Sequence, residues 1–208
     1  MRVIFSVLLV LFISFTSPVT YAQSNLGRSL ALENAPTVIL FVYLDPTGVT
    51  DPVKFTEMIF NGLKEELETT NKVNVLSFES SQKILRNYIR ENSSAENARE
   101  SDLGFSPKKK DFIALAEEAG VDYVFYVSSR VTDQKMQLSP FAGFRAQQTI
   151  IIETLLFEKD TQQYLIDDIF SETGKGSYGN FDRAFNKALP KLIDQIDLSK
   201  VDFKKNEQ

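Results

Sequence analysis

The chain has 208 residues, of which 43% are hydrophobic, 12% aromatic and 25% charged, which is typical of a globular protein with one substantial core. It contains no Cys and no His, which excludes disulfides, thiol and Ser-His nucleophiles, and zinc or haem sites built from those residues. Its formal net charge is −5 and no basic stripe runs along the sequence, so neither nucleic acid nor an anionic membrane is an expected partner.

Residues 1–22 have the layout of a secretory signal peptide. Arg2 gives a positive start, residues 3–15 are almost wholly apolar, and Thr20 and Ala22 place small residues before a cut at Gln23. The apolar run is shorter than the about 20 residues of a transmembrane helix, and an uncleaved anchor is the alternative. Without Cys the amino terminus cannot be lipid-modified. We therefore expect a periplasmic or secreted chain with no integral membrane span after cleavage.

The remaining chain reads as one domain between two polar segments. Residues 23–36 form a polar leader, 37–198 a single α/β domain, and 199–208 a flexible tail. In chain order, the first half is predicted to contain strand Thr37–Leu44, a helix from Pro52, strand Lys72–Phe78, helix Ser80–Ile89 and a loop over Glu91–Ser106. A helix from Pro107, strand Val121–Thr132 and a connection over Asp133–Phe144 follow. The last part contains strands Ala146–Phe157 and Tyr164–Glu172, a flexible segment over Gly174–Gly179, and a helix from Phe181.

Local signals support several of these boundaries. Thr37–Leu44 is a continuous β-branched and aromatic run, as expected of a strand buried on both faces. Asp51 and Pro52 supply an N-cap and a first-turn proline, and Gly120 supplies a C-cap. The order β-α-β-α-α-β-β-β-α predicts an α/β (α+β) fold with a single mixed five-stranded sheet and helices packed on it. The helix-linked strands should pair in parallel, and the final hairpin should add antiparallel strands.

Four stretches of the sequence carry a family resemblance. They are TVILFVYL followed by PVKFTEMIFNGLKEEL, IALAEEAGVDYVFYVSSRV, the hairpin from Ile152 to Phe170 with Asp160-Thr161 at its tip, and AFNKALPKLIDQI. Together they resemble the small α/β envelope domain of the Tol-system propeller protein's amino-terminal domain, the curli-secretion channel protein and the lipoprotein activators of penicillin-binding proteins. The resemblance implies a non-catalytic recognition module in the bacterial cell envelope. This chain lacks the amino-terminal Cys of those lipoproteins.

The connection after the third strand is unusually apolar. Loops between strands are ordinarily polar, whereas this one carries Met136, Leu138, Phe141 and Phe144. One interpretation is a protein-binding wedge with Phe141 and Phe144 as anchors, whose partner is another envelope protein. The other is that the connection folds back over the sheet edge and completes the core.

Two further hypotheses use other residue types. A carboxylate-dependent hydrolase would need converging acids, for which Asp45, Asp51 and Asp122 near strand or helix ends are the candidates. Asp167 and Asp168 should point to opposite faces of one strand and cannot act together. The simpler predicted roles are a turn at Asp45 and an N-cap at Asp51.

A small-molecule or glycan carrier would use Tyr43, Tyr123 and Tyr126 near a strand end. It requires a pocket on the order of 300–1,000 Å³. The acidic stretches lack the spacing of calcium loops, and Gly174-Lys175-Gly176-Ser177 lacks the spacing of a phosphate loop. No metal and no cofactor are therefore expected.

Overall fold

A mixed sheet with helices on both faces organises the domain. The computed structural model describes residues 35–92, 106–139 and 143–204. The chain divides into two units, and everything below concerns the second, Pro36–Gln208. Its elements are β1 (Thr37–Leu44), α1 (Pro52–Thr70), β2 (Asn74–Val75), α2 (Phe78–Asn92), α3 (Lys109–Ala119), β3 (Tyr123–Ser139), β4 (Gly143–Glu158), β5 (Gln163–Ser177), α4 (Phe181–Gln195) and a 3₁₀ turn (Leu198–Lys200).

The predicted fold class is confirmed. The strands lie in the order β2-β1-β3-β4-β5. Strand β1 pairs in parallel with β2 and β3, and the β3–β4 and β4–β5 pairs are antiparallel. The predicted signal peptide and most of the leader lie outside the described residues, as do Phe141 and most of the predicted polar loop.

Strand β1 separates two hydrophobic cores. Val38 and Leu40 point into a core shared with α1 and α4, and Ile39 and Phe41 point into one shared with α2 and α3. All four side chains are fully buried, as the unbroken apolar run predicted. We call the two sides of the sheet the α1/α4 face and the α2/α3 face.

Two predicted helix caps are confirmed: the N-cap of α1 and the C-cap of α3. The Lys54 backbone N–H donates to Asp51 Oδ1 over 3.1 Å, and Pro52 occupies the first turn of α1. Gly120 ends α3 in the left-handed region at φ 62°.

The second predicted strand is longer than the observed one. Only Asn74 and Val75 pair with β1, and Phe78 already belongs to α2. The Ser80 backbone N–H donates to Ser77 Oγ at the start of this helix, and the Phe78 ring lies 5.1 Å from that of Phe60. The alternating pattern of Lys72–Phe78 therefore includes the first residue of α2, which packs against α1.

The predicted connection over Asp133–Phe144 is wrong because most of it is strand. Strand β3 continues to Ser139, and β4 already begins at Gly143. The register shifts between Val131 and Asp133, which makes Thr132 an extra residue in the ladder. This β-bulge exchanges the faces to which alternate residues point, so no single alternation runs through the strand.

The predicted flexible segment over Gly174–Gly179 is also wrong at its start. Gly174 and Gly176 belong to β5 and are buried against the first turns of α4. A Cβ at Gly174 would lie 1.8 Å from the Ala184 carbonyl oxygen, and one at Gly176 would lie 2.0 Å from that of Asn180. The glycines therefore let helix and strand approach closely and are not a hinge.

We expect Gly174→Ala to lower the free energy of unfolding by about 3 kcal/mol or more, because the new methyl group must displace helix backbone. Gly62→Ala in α1 is the matched control. Its Cβ would meet only the end of the Ile193 side chain, at 2.7 Å, and alanine is the better helix former. Urea unfolding measures both, and equal stabilities would contradict the close-approach role of Gly174.

Candidate functional site

The outer end of the β3–β4 hairpin extends past both neighbouring strands. The last β1 pair joins Leu44 to Ser129, and the last β5 pair joins Ser177 to Arg145. The β3–β4 ladder continues to the pair of Ser139 with Gly143. The hairpin end is therefore two-stranded and lies beyond the layered part of the fold.

The base of this hairpin is attached to the loop between β1 and α1. The side-chain amides of Gln134 and Gln148 both donate to the Gly48 carbonyl oxygen, over 2.7 and 3.0 Å. Gln134 and Gln148 are partners in the β3–β4 ladder, and Gln148 is buried. These bonds hold the hairpin where it leaves the α1/α4 core.

Three apolar side chains share one face of the hairpin. Leu138 pairs with Phe144, and Met136 pairs with buried Ala146, so all of them lie on the α1/α4 face of the sheet. Met136, Leu138 and Phe144 are exposed by 56%, 73% and 58%. We call these three residues the apolar patch. Cross-strand and diagonal neighbours lie close enough for such side chains to form one surface.

Sequence reasoning missed an aromatic residue that lies near the apolar patch in the fold. The Gly179 backbone N–H donates to the Phe144 carbonyl oxygen over 3.0 Å, which brings the turn after β5 to the hairpin. Tyr178, the preceding residue, is 85% exposed and has a φ of 57°. Nothing in the sequence of the predicted flexible segment, Gly174–Gly179, indicated that Tyr178 lies near the hairpin.

The opposite face of the hairpin gathers cations from three strands. Gln147 pairs with Lys135 on one side and Lys175 on the other, and Arg145 lies two residues before Gln147 on the same face. All three cations are exposed, and Lys135 forms an ion pair of 2.7 Å with Asp133. We call Lys135, Arg145 and Lys175 the basic cluster. The sequence showed no basic stripe because sheet pairing brings together residues that are far apart along the chain.

The candidate acids do not converge on one site. Asp122 accepts from the Thr37 backbone N–H over 2.7 Å and from its hydroxyl over 2.9 Å, at the start of β1. Asp45 follows the end of β1 and accepts from the Thr47 backbone N–H over 2.8 Å. An eight-residue strand separates them, about 26 Å at 3.3 Å per residue. The structure therefore contradicts a shared acid-base site for these residues and gives them local structural roles.

The candidate tyrosines are likewise divided. Tyr123 belongs to the α1/α4 core and Tyr126 to the α2/α3 core, with Tyr43 packed on the same side as Tyr126. The predicted grouping is therefore wrong. A groove of about 460 Å³ does exist, and it lies between β5 and the segment after α4, with Ile166, Phe170, Lys200 and Val201 among its lining residues.

The segment after α4 is tied to Tyr123. The Lys204 backbone N–H donates to the Tyr123 hydroxyl over 2.8 Å, and the Phe203 ring lies 5.0 Å from the Tyr123 ring. The predicted tail therefore packs against the domain as far as Lys204. Over the three described ranges, no group of acids is arranged to hold a metal ion.

The comparisons with known proteins found only distant structural similarities. No family model and no curated protein matches it. Lipoprotein GNA1162 from Neisseria meningitidis matches at 12% identity and a TM-score of 0.44, covering 77% of this chain and 94% of that one. The LpoB C-terminal domain from Escherichia coli matches at 16% identity and a TM-score of 0.33, covering 73% and 93%.

A third solved structure is TolB from Acinetobacter baumannii, at 15% identity and a TM-score of 0.30, covering 65% of this chain and 23% of that one. LpoB and TolB match the fold-level resemblance seen in the sequence. At identities of 16% or less and TM-scores of 0.44 or less, these three likenesses concern the fold alone. Within the described part of the chain, no helix combines the length and hydropathy needed to cross a membrane.

We expect stability to fall at alkaline pH because two core tyrosines are held in the neutral form. Burial raises the pKa of Tyr123 from 10.0 to about 12; the Lys204 backbone partly opposes this and Glu158 adds to it. Burial, with Glu153 nearby, also raises the pKa of Tyr126. The folded state therefore binds these protons more tightly than the unfolded state, and the free energy of unfolding should decrease as pH rises from about 10 towards 12.

Urea unfolding between about pH 9 and pH 12 measures this dependence, and Tyr123→Phe should make the decrease shallower. Tyrosinate absorbance in denaturant gives the unfolded reference near pH 10. An unchanged pH dependence in Tyr123→Phe would contradict the contribution assigned to this residue.

Proposed function

We propose that the chain is an exported, non-catalytic domain of the bacterial cell envelope that binds another envelope protein through the apolar patch. The observation that carries the proposal is the exposure of Met136, Leu138 and Phe144 on one face of a projecting hairpin. Large apolar side chains grouped on the surface of a folded domain are typical of a protein contact.

The export part of the proposal is supported by the signal-peptide layout of residues 1–22. The resemblance of the four sequence stretches to envelope domains supports the proposed compartment. The apolar patch then gives the module a surface for a partner in that compartment.

The non-catalytic part is supported by the roles of the acids that could have acted in catalysis. Asp51 caps α1, Asp45 closes a turn, and Asp122 bridges β1 to the start of β3. General acid-base chemistry on paired carboxylates needs both groups at one substrate. Asp122 lies at the opposite end of β1 from Asp45, and each of the three acids accepts a backbone N–H.

We expect Leu138→Ser with Phe144→Ser to reduce partner capture strongly while leaving the fold intact. Both side chains are exposed, so their replacement should change the free energy of unfolding by no more than about 1 kcal/mol. Loss of two central anchors should reduce capture about tenfold or more. The measurement is in-cell crosslinking of a tagged chain in the source organism, followed by identification of the crosslinked protein.

Ile169→Ser is the matched control, because Ile169 is 68% exposed on β5, away from the hairpin end. It should capture the same protein as the unmodified chain. A partner retained by the Leu138/Phe144 variant, or lost equally in both variants, would contradict the assignment to the apolar patch. The absence of any specific partner would instead favour a carrier that uses the groove beside β5.

A further inference from the structure

The outer edge of β3 offers backbone groups to a further strand. Strand β1 covers this edge only as far as Ser129, whose carbonyl oxygen accepts from the Asp45 backbone N–H over 2.9 Å. Beyond that point, no backbone–backbone hydrogen bond within the described ranges reaches the edge. Exposed strand edges of this kind pair readily with another extended chain.

The side chains along this edge differ on its two faces. Met136 and Leu138 of the apolar patch follow the edge on the α1/α4 face, while Lys135 and Gln137 follow it on the α2/α3 face. Arg145 and Lys175 extend the positive charge across that second face. A strand added here would meet apolar surface on one side and cations on the other.

The charges on the cationic side are largely uncompensated. Three successive rows of paired residues cross β3, β4 and β5 on this face, and they contain Thr149, Lys135 and Arg145. Asp133 is the one acid in these rows, and it forms an ion pair with Lys135 over 2.7 Å. No ion pair of Arg145 or Lys175 occurs in the part of the chain described by the structure. Acidic side chains on an added strand would supply the missing charge.

We propose that the partner contributes an extended segment, with alternating apolar and acidic side chains, that adds as a sixth strand to the β3 edge over Asp133–Ser139. Its apolar side chains pack on Met136 and Leu138, and its acidic side chains face Lys135, with Arg145 on the next strand and Lys175 on the strand after that. The inference rests on the proposed function, since it specifies how the envelope partner engages the hairpin. Main-chain hydrogen bonds supply affinity, and the two faces supply specificity.

The devices that normally protect an edge cover only part of this one. The bulge at Thr132 disturbs pairing near the hairpin base, and Lys135 places a charge in the edge. The residues from Met136 to Ser139 follow in regular register with β4 and carry no charge. This stretch is therefore available for pairing.

The probe is a capped seven-residue peptide, TVEVEVT, compared with TVKVKVT at low ionic strength. Titration into the ¹⁵N-labelled full chain, as recovered from expressing cells, should shift backbone amide resonances of residues 133–139. The acidic peptide should bind about tenfold more tightly than the basic one. Lys135→Glu should reverse this preference, and Ile169→Ser should leave it unchanged.

Backbone methylation of the peptide separates strand addition from a side-chain contact. In an added strand, alternate backbone N–H groups point towards β3 and the others point away from it. Methylating the nitrogens that point towards β3 should therefore abolish binding, and methylating the other set should preserve it. Binding that tolerates both sets would overturn the proposal. Four other results would also overturn it: resonance shifts outside the hairpin, equal affinity for the two peptides, no binding at about 1 mM peptide, or self-association of the chain through this edge.

The two proposals fail separately. If the peptides show no selective binding while crosslinking still depends on Leu138 and Phe144, the apolar patch binds a partner without strand addition. If the peptide binds as expected but crosslinking yields no envelope protein, the edge is functional and the proposed partner class is wrong.

Discussion

The bulge at Thr132 is the constraint on which the exposed end of the molecule depends. Before it, Val127 and Val131 point to the α1/α4 face of the sheet, and after it Gln134, Met136 and Leu138 do so. One extra residue therefore determines that the hairpin continues the apolar face of the domain outward. Without the shift, Lys135 and Gln137 would occupy the apolar face, and Met136 and Leu138 would join the polar one. The division between the apolar patch and the basic cluster follows directly from this irregularity.

Polar and glycine contacts attach the same region to the core. The Gly48 carbonyl oxygen accepts two side-chain amides from the hairpin base, and Gly174 and Gly176 bring α4 against β5 within distances that no side chain permits. A projecting hairpin on a loose base would lose binding free energy to the ordering of its own backbone. Here the apolar patch is attached to the core by contacts one or two residue pairs away. Contacts this close to the apolar patch reduce the ordering that the proposed binding would require.

The sequence predicted the layered architecture well because its signals are local. The apolar run in β1, the Asp51 cap and the Gly120 terminus each act within a few residues, and all agree with the structure. Sequence-based prediction failed where the structure depends on contacts between residues far apart in the chain or on an irregular strand. The extension of β3 depends on a bulge that breaks alternation, and the rigidity of Gly174 depends on a helix that follows later. Met136, Leu138 and Phe144 were found from composition alone, whereas Tyr178 and the basic cluster appear only once three strands are in register.

The distribution of polar groups supports the proposed binding function over the hydrolase alternative. The acids at strand and helix ends are committed to backbone N–H groups, which they satisfy at Thr37, Thr47 and Lys54. Such acids stabilise turns and caps because the backbone donors there have no other partner. Among the described residues, the outer edge of β3 beyond Ser129 receives no backbone–backbone hydrogen bond, and Arg145 and Lys175 form no ion pair. The side chains of the apolar patch are exposed beside them. Exposed strand edges and apolar side chains of this kind gain free energy when another chain covers them. These exposed groups are the ones on which the proposed binding of a partner depends.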